Sequence, residues 1–115
     1  MISFNEISKI YLSSEAVDLR KGIDGYALLV QDHYQLDPFE DALFIFINKS
    51  TNKIKCLYWD GTGFWLLYKR LEKGHFKIKR KDGYISITHQ QLEWLLQGLK
   101  IEQKTAFKKI FPKYV

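Results

Sequence analysis

Residues 53–76 read KIKCLYWDGTGFWLLYKRLEKGHF. KIKCLYW (53–59) alternates with the two-residue period of a strand. Ile54, Cys56 and Tyr58 share one face, and Lys53, Lys55, Leu57 and Trp59 share the other. DGTG (60–63) marks a hairpin, because glycine tolerates the positive φ that a tight turn needs. FWLLYKRL (64–71) is then the returning strand, with a helix as the alternative. EKG (72–74) turns the chain again. HFKIK (75–79) alternates, with Phe76 and Ile78 opposite Lys77 and Lys79. KDG (81–83) makes another turn before YISI (84–87).

The same reading extends outward from this hairpin. LFIFI (43–47) is a continuous apolar run of strand formers, which predicts a central strand buried on both faces. NKSTN (48–52) supplies the turn that follows it. KIYLS (9–13) reads as a short strand. Ser13 or Ser14 is placed to cap a turn ahead of EAVDLRKG, and Asp18 is an alternative N-cap. Ile23, Tyr26, Ala27, Val30 and Tyr34 fall at helical spacing, so the pattern predicts an amphipathic helix over 23–34. Gly22 and Gly25 weaken its start, and Asp37-Pro38 ends it. Thr88 and Gln91 fit a capping box. Leu92, Leu95, Leu96 and Leu99 follow at helical spacing, with Gly98 as the stop. The fold class is therefore α+β: an antiparallel β-meander of four or five strands with an N-terminal helix and C-terminal helices. The chain divides into a single domain over 1–100 and a basic amphipathic extension over 101–115. In that extension Phe107, Ile110 and Phe111 face Lys104, Lys108, Lys109 and Lys113, as in a docked helix or a partner-binding segment.

At 115 residues with 46% hydrophobic and 27% charged residues, the composition is that of one folded domain. The aromatic share of 16% predicts a core built largely from Phe, Tyr and Trp. Cys56 is the single cysteine, so no intramolecular disulfide forms, and its apolar surroundings make it a small buried hydrophobe. MISFNEISKIYL lacks the basic-then-apolar pattern of a signal peptide, and no apolar run is long enough to cross a bilayer. The expectation is a cytoplasmic protein without membrane partners.

Charge is unevenly distributed along the chain. Residues 1–45 carry three basic and eight acidic residues, whereas residues 46–115 carry fifteen basic and five acidic. Such asymmetry points to a polyanionic partner or an electrostatically steered protein contact, and a solvated Lys-rich face is the plainer alternative. Between Lys49 and Lys81 stand ten basic residues against Asp60 and Glu72. Lys53, Lys55, Lys77 and Lys79 would line one sheet face, and Arg70, Lys73, Arg80 and Lys81 would gather at adjoining turns. Such cations neutralise phosphates, and exposed Trp59 or Trp65 would stack on unpaired bases. Alternatively both tryptophans are core or dimer contacts, and edge lysines serve only to block aggregation.

Catalytic chemistry finds little support. Metal-dependent phosphoryl chemistry needs clustered carboxylates, and only Asp18, Asp24 and Asp60 could converge. Hydrolase chemistry needs a nucleophile beside a base. His33, His75 and His89 lie in no such motif, and His89 reads as solvated. No loop has phosphate-cradling glycine spacing. No cofactor and no metal site is expected.

DLRKGIDGYALLV (18–30), DPFEDALFIFIN (37–48), IKCLYWDGTGFWLLYKRLEKGHF (54–76) and ITHQQLEWLLQGL (87–99) occur in an order and spacing that resembles a known family. The chain looks like the TnpB accessory proteins of IS-sixty-six insertion sequences, which are unrelated to the RNA-guided nucleases of the same name. The resemblance spans about residues 8–100. It implies a non-catalytic role in transposition beside a separate, larger transposase that carries the catalytic carboxylates. It supplies no catalytic residues to carry over. The matching motif positions are Arg20, Lys21, Gly22, Asp24 and Gly25, then Trp59, Asp60, Gly61, Gly63, Tyr68, Lys69, Arg70, Leu71 and Gly74. This chain departs from the family by His75, where Arg is common, and by the less Arg-rich turn NKSTN.

The functional expectation is a non-enzymatic accessory protein that binds DNA, at element ends or non-specifically. Arg20, Lys21, Lys69, Arg70 and Lys73 are the leading phosphate contacts, with Lys53, Lys55, Lys77, Lys79 and Arg80 in support. The alternative is a protein-interaction module that scaffolds the transposase or another element-encoded protein through Trp59, Trp65, Phe107 or Phe111, or forms a homodimer.

Overall fold

The computed structural model describes residues 3–102. A single 3-10 turn, Phe4–Glu6, leads into β1 (Lys9–Ser13). The chain then crosses through α1 (Ile23–Leu28), which continues as a π turn over Leu29–His33, to β2 (Ala42–Ile47). β3 (Lys53–Trp59), β4 (Phe64–Arg70), β5 (Tyr84–Ile87) and α2 (His89–Leu96) follow. The sheet order is β4-β3-β2-β1-β5.

The sheet is mixed, which corrects the expected antiparallel meander. β1 and β2 run parallel, with Ile10 opposite Leu43 and Leu12 opposite Ile45, while the other three pairings are antiparallel. Parallel neighbours need a crossover rather than a hairpin, and residues 14–41, including α1, supply it. The helices are therefore not the flanking set expected. α1 lies between the first two strands, and α2 is the one helix after the sheet among the described residues.

All six residues of β2 are buried, as a strand covered on both faces requires. On one face Phe44, Phe46 and Leu57 pack with Tyr26, Val30 and Tyr34 of the crossover. Tyr26 stacks on Phe46 with ring centroids 4.7 Å apart, and its hydroxyl donates to the Asp18 carbonyl at 2.9 Å. On the other face Leu43, Ile45, Ile47, Ile54 and Cys56 pack with Leu92 and Leu95 of α2 and with Phe76. Burial pushes the Cys56 thiol up to about 12, so it stays protonated and unreactive.

HFKIK is not a strand. No sheet position adjoins it, and the β2–β3 turn holds it instead. The Phe76 N–H donates to Thr51 O, His75 Nδ1 donates to Ser50 O at 2.8 Å, and Arg80 donates to Asn48 O. The turn itself is organised by Asn48, whose Oδ1 accepts from the N–H groups of Asn52 and Lys53 at 3.0 Å. Nor does Asp18 cap α1: its carboxylate accepts the Arg20 N–H at 2.9 Å, and the N-cap is Gly22 with no side-chain bond. His89, expected in solvent, donates to Ile7 O at 2.7 Å and ties α2 to the segment before β1.

The hairpin and the capping box form as their residues dictate. Asp60 Oδ1 accepts from Thr62 N, Gly63 N and the Thr62 hydroxyl at 2.8–2.9 Å, while Gly61 takes φ +97°. Thr88 accepts from Gln91 N and the Gln91 side chain accepts from Thr88 N.

Phe46→Ala removes the ring at the centre of the Tyr26 contact. It should cost about 3–5 kcal/mol, read as a lower denaturant midpoint with an unchanged slope. Thr88→Ala should cost about 1 kcal/mol through loss of the α2 cap, in the same unfolding assay.

Candidate functional site

The hairpin register decides which cations meet. β3 and β4 pair with Lys53 opposite Arg70 and Lys55 opposite Tyr68. Lys53 and Lys55 share the face covered by α1, because Leu57, two residues on, packs there. The chain leaving β1 returns across this same face through Val17–Arg20. The result is an open groove of about 630 Å³, walled by Ala16, Asp18, Arg20, Lys49, Lys53, Lys55 and Tyr68 among others.

Four of its walls are cationic and one is acidic. Asp18 already holds Arg20, with Nη2–Oδ2 at 2.8 Å and Nε–Oδ1 at 3.0 Å. The side-chain bond from Arg20 keeps the Asp18 carboxyl well below its usual range, helped by the Arg20 N–H. Lys55 Nζ donates to Lys21 O at 3.2 Å and sits 5.8 Å from the centre of the Tyr26 ring. Lys21 is thereby drawn to the groove edge by its backbone. The groove can present several cations and the Tyr68 ring, which is 54% exposed, to an elongated polyanion.

The other expected cations do not join them. Lys77 and Lys79 lie on the opposite face, around a second cavity floored by Leu12, Phe76, Ile78 and Ile85. They separate from Lys53 and Lys55 because HFKIK passes beneath the sheet instead of extending it. Lys79 pairs with Glu102 at 3.2 Å, and Arg80 is spent on Asn48 O. Arg70 shares the groove face as the cross-strand neighbour of Lys53, but it stands outside the groove lining and pairs with Glu72 at 2.8 Å. Lys69 and Lys73 are exposed at the far end of β4 and in the turn after it. Trp65 is 46% exposed, and its indole N–H donates to Asp60 Oδ2 at 2.8 Å. The Thr62 N–H, that indole and the other turn donors hold the Asp60 carboxyl far below its ordinary value. Trp59 is half-buried against Phe64 and Phe39, with ring centroids 4.9 and 5.0 Å away. Phe107 and Phe111 lie outside the described residues.

Sequence reasoning missed Lys49, Tyr68 and Phe39. The signal for Tyr68 was present, since closing DGTG with Trp59 opposite Phe64 places residue 68 opposite Lys55. It also missed a polar junction at the end of β1. Glu15 Oε2 accepts from Tyr34 OH at 2.8 Å and His33 Nε2 at 2.6 Å, and Glu15 Oε1 accepts from Gly83 N at 3.3 Å. Tyr34 OH also shares a 2.6 Å hydrogen bond with the buried Ser13 hydroxyl. Among the described residues no group of three or more His, Cys, Asp or Glu could hold a metal ion, and Asp18, Asp24 and Asp60 form no such cluster. No described helix is long and apolar enough to cross a membrane.

A small mixed α+β sheet with a cationic groove defines the fold and the site, and sequence comparison supplies the family. The chain belongs to the IS66 Orf2-like protein family, which matches residues 8–106. Membership associates the chain with transposition in an accessory role. It is 34% identical over 92 residues to the uncharacterized protein y4jC of Sinorhizobium fredii, covering 79% of each chain. It is 32% identical over 100 residues to the uncharacterized protein y4hO of the same organism, covering 86% of this chain and 87% of that one. No solved structure matches it significantly.

Glu15 makes the fold sensitive to acid. Burial raises its carboxyl pKa, but the bonds from Tyr34, Gly83 and His33 outweigh this and leave it below the ordinary 4.5. A lowered folded-state pKa gives stability that is full above the unfolded value and lost as pH falls through the folded one. Glu15→Gln should therefore destabilise at neutral pH, and the gap to wild type should close as pH falls below 4.5. Thermal melts of both proteins from neutral pH to pH ~3 check this.

Proposed function

We propose that this accessory protein binds DNA through the groove walled by Arg20, Lys49, Lys53, Lys55 and Tyr68. The observation that carries the reading is the convergence of Lys49, Lys53 and Lys55 on one open groove beside an Arg20–Asp18 ion pair, which leaves no other carboxylate in its lining to oppose them. Phosphates neutralised there release counterions, and Tyr68 offers a ring face to a sugar or an unpaired base. Lys21 extends the positive field at the groove edge, with Lys73 in the turn after β4, whereas Lys69 shares the opposite sheet face with Ile54 and Leu67. Lys77, Lys79 and Arg80 do not take part in this site. The contacts described position a backbone and leave sequence unread.

A second reading has its own observation. Phe39 is 54% exposed and packs against Trp59 and Phe64, so three aromatics form a partly open platform beside β4. This platform, with Trp65 nearby, suits docking of the transposase or another element-encoded protein.

Binding of the purified protein to a fluorescent duplex carrying an element end, over a salt series and beside a scrambled duplex, separates the two readings. The DNA reading predicts micromolar binding with a steep salt slope. Lys53→Ala/Lys55→Ala should reduce that slope by about two and weaken binding at least about tenfold, while Lys77→Ala/Lys79→Ala should change little. Absence of binding at low salt would remove the DNA reading, and Phe39→Ala loss of transposase capture would then support the platform.

A further inference from the structure

We infer that β4 pairs with β4 of a second copy of this chain, antiparallel and centred on Leu67. The two edges of the sheet are unequal. β5 has four residues, whereas β4 has seven in unbroken register with β3 and carries no proline or bulge. Its middle, WLLY, is uncharged. Such an edge is normally blunted or covered.

The hydrogen-bond alternation shows which groups the edge offers. The Leu71 N–H donates to Asn52 O at 2.9 Å, and the Asp60 N–H donates to Gly63 O at 3.1 Å. Residues 63, 65, 67, 69 and 71 therefore turn their backbone groups toward β3. Phe64, Leu66, Tyr68 and Arg70 turn theirs outward. An antiparallel copy centred on Leu67 pairs residue 64 with 70 and residue 66 with 68. All outward N–H and C=O groups are satisfied, and the strands overlap over their full length.

The side chains are self-complementary in that register. On one face Leu67 meets its own copy, and Lys69 lies opposite Trp65, whose indole is bonded to Asp60. On the other face Arg70 lies opposite Phe64, itself packed on Trp59 and Phe39, and Tyr68 lies opposite Leu66. Each strand thus sets its cationic end against the partner's aromatic end, with Asp60 beside one of them. A parallel copy would set cation against cation. The isologous pairing also fits the symmetry of ordinary homodimers. Its two-fold axis stands perpendicular to the sheet, so both cationic grooves fall on one face, one on each side of the axis. The inference does not depend on what the groove binds.

Sedimentation equilibrium of the full chain should show a dimer at micromolar concentrations. Tyr68→Pro removes an outward N–H together with the Tyr68 ring, leaves the β3–β4 hydrogen bonds in place and should yield monomer, whereas Tyr68→Ala, which keeps that N–H, should still dimerise; circular dichroism and the thermal midpoint verify the fold of both. Lys69→Glu should weaken association at least about tenfold. In a Cys56→Ala background, needed because Cys56 is the cross-strand neighbour of Leu67, Leu67→Cys should form an intermolecular disulfide on mild oxidation. A monomer at all concentrations overturns the inference and leaves the edge to another protein's strand. A dimer that persists in Lys69→Glu and in folded Tyr68→Pro, without cross-linking at 67, places the interface elsewhere and overturns it equally.

Discussion

β2 must be covered on both sides, and the rest of the structure follows from that requirement. Ala42–Ile47 holds six buried residues with Phe44 and Phe46 on one face and Leu43, Ile45 and Ile47 on the other. A strand of this kind cannot sit in a one-sided meander without exposing one of these faces to water. The crossover from β1 through α1 closes the aromatic side. α2 and the 71–82 segment close the aliphatic side. The parallel β1–β2 pair is thus part of the covering, since only a crossover can lay a helix against the sheet between two neighbouring strands.

The covering also sorts the charges. The segment that closes the aliphatic side takes Lys77 and Lys79 with it, away from Lys53 and Lys55. The loop that closes the aromatic side brings Arg20 toward them and sets the Lys21 carbonyl against Lys55. The acid-rich first part of the chain spends Asp18 and Glu15 as internal acceptors at this junction, so the net field over the groove stays positive. His75 holds the β2–β3 turn through Ser50 O.

Local chemistry was legible from the residues, and long-range placement was less so. The DGTG hairpin, the Thr88 capping box, the Gly98 stop at φ +80° and the buried run at 43–47 all follow from two-residue or helical periods and from turn residues. The β1–β2 pairing was not legible, because KIYLS alternates equally well beside a parallel or an antiparallel neighbour. HFKIK misled because its alternation records burial of Phe76 and Ile78 under the sheet, and the Asn48 turn rather than a neighbouring strand takes up its backbone. For the candidate site, Lys53, Lys55 and Arg20 were each expected as phosphate contacts, but the approach of Arg20 to the other two was not legible, because the crossover that carries it there was not. Lys49 was passed over as a turn residue, and Tyr68 needed the hairpin register to be followed to its end.

The proposed site puts nucleic acid on the face carrying Lys53 and Lys55 rather than the face carrying Lys77 and Lys79. Titrating isotopically labelled protein with a short duplex and following backbone amide shifts tests it residue by residue. The largest shifts should map to 16–21, 48–55 and 68–70, with 77–81 nearly unmoved. Shifts concentrated at 77–81, or no shifts at low salt, would contradict it.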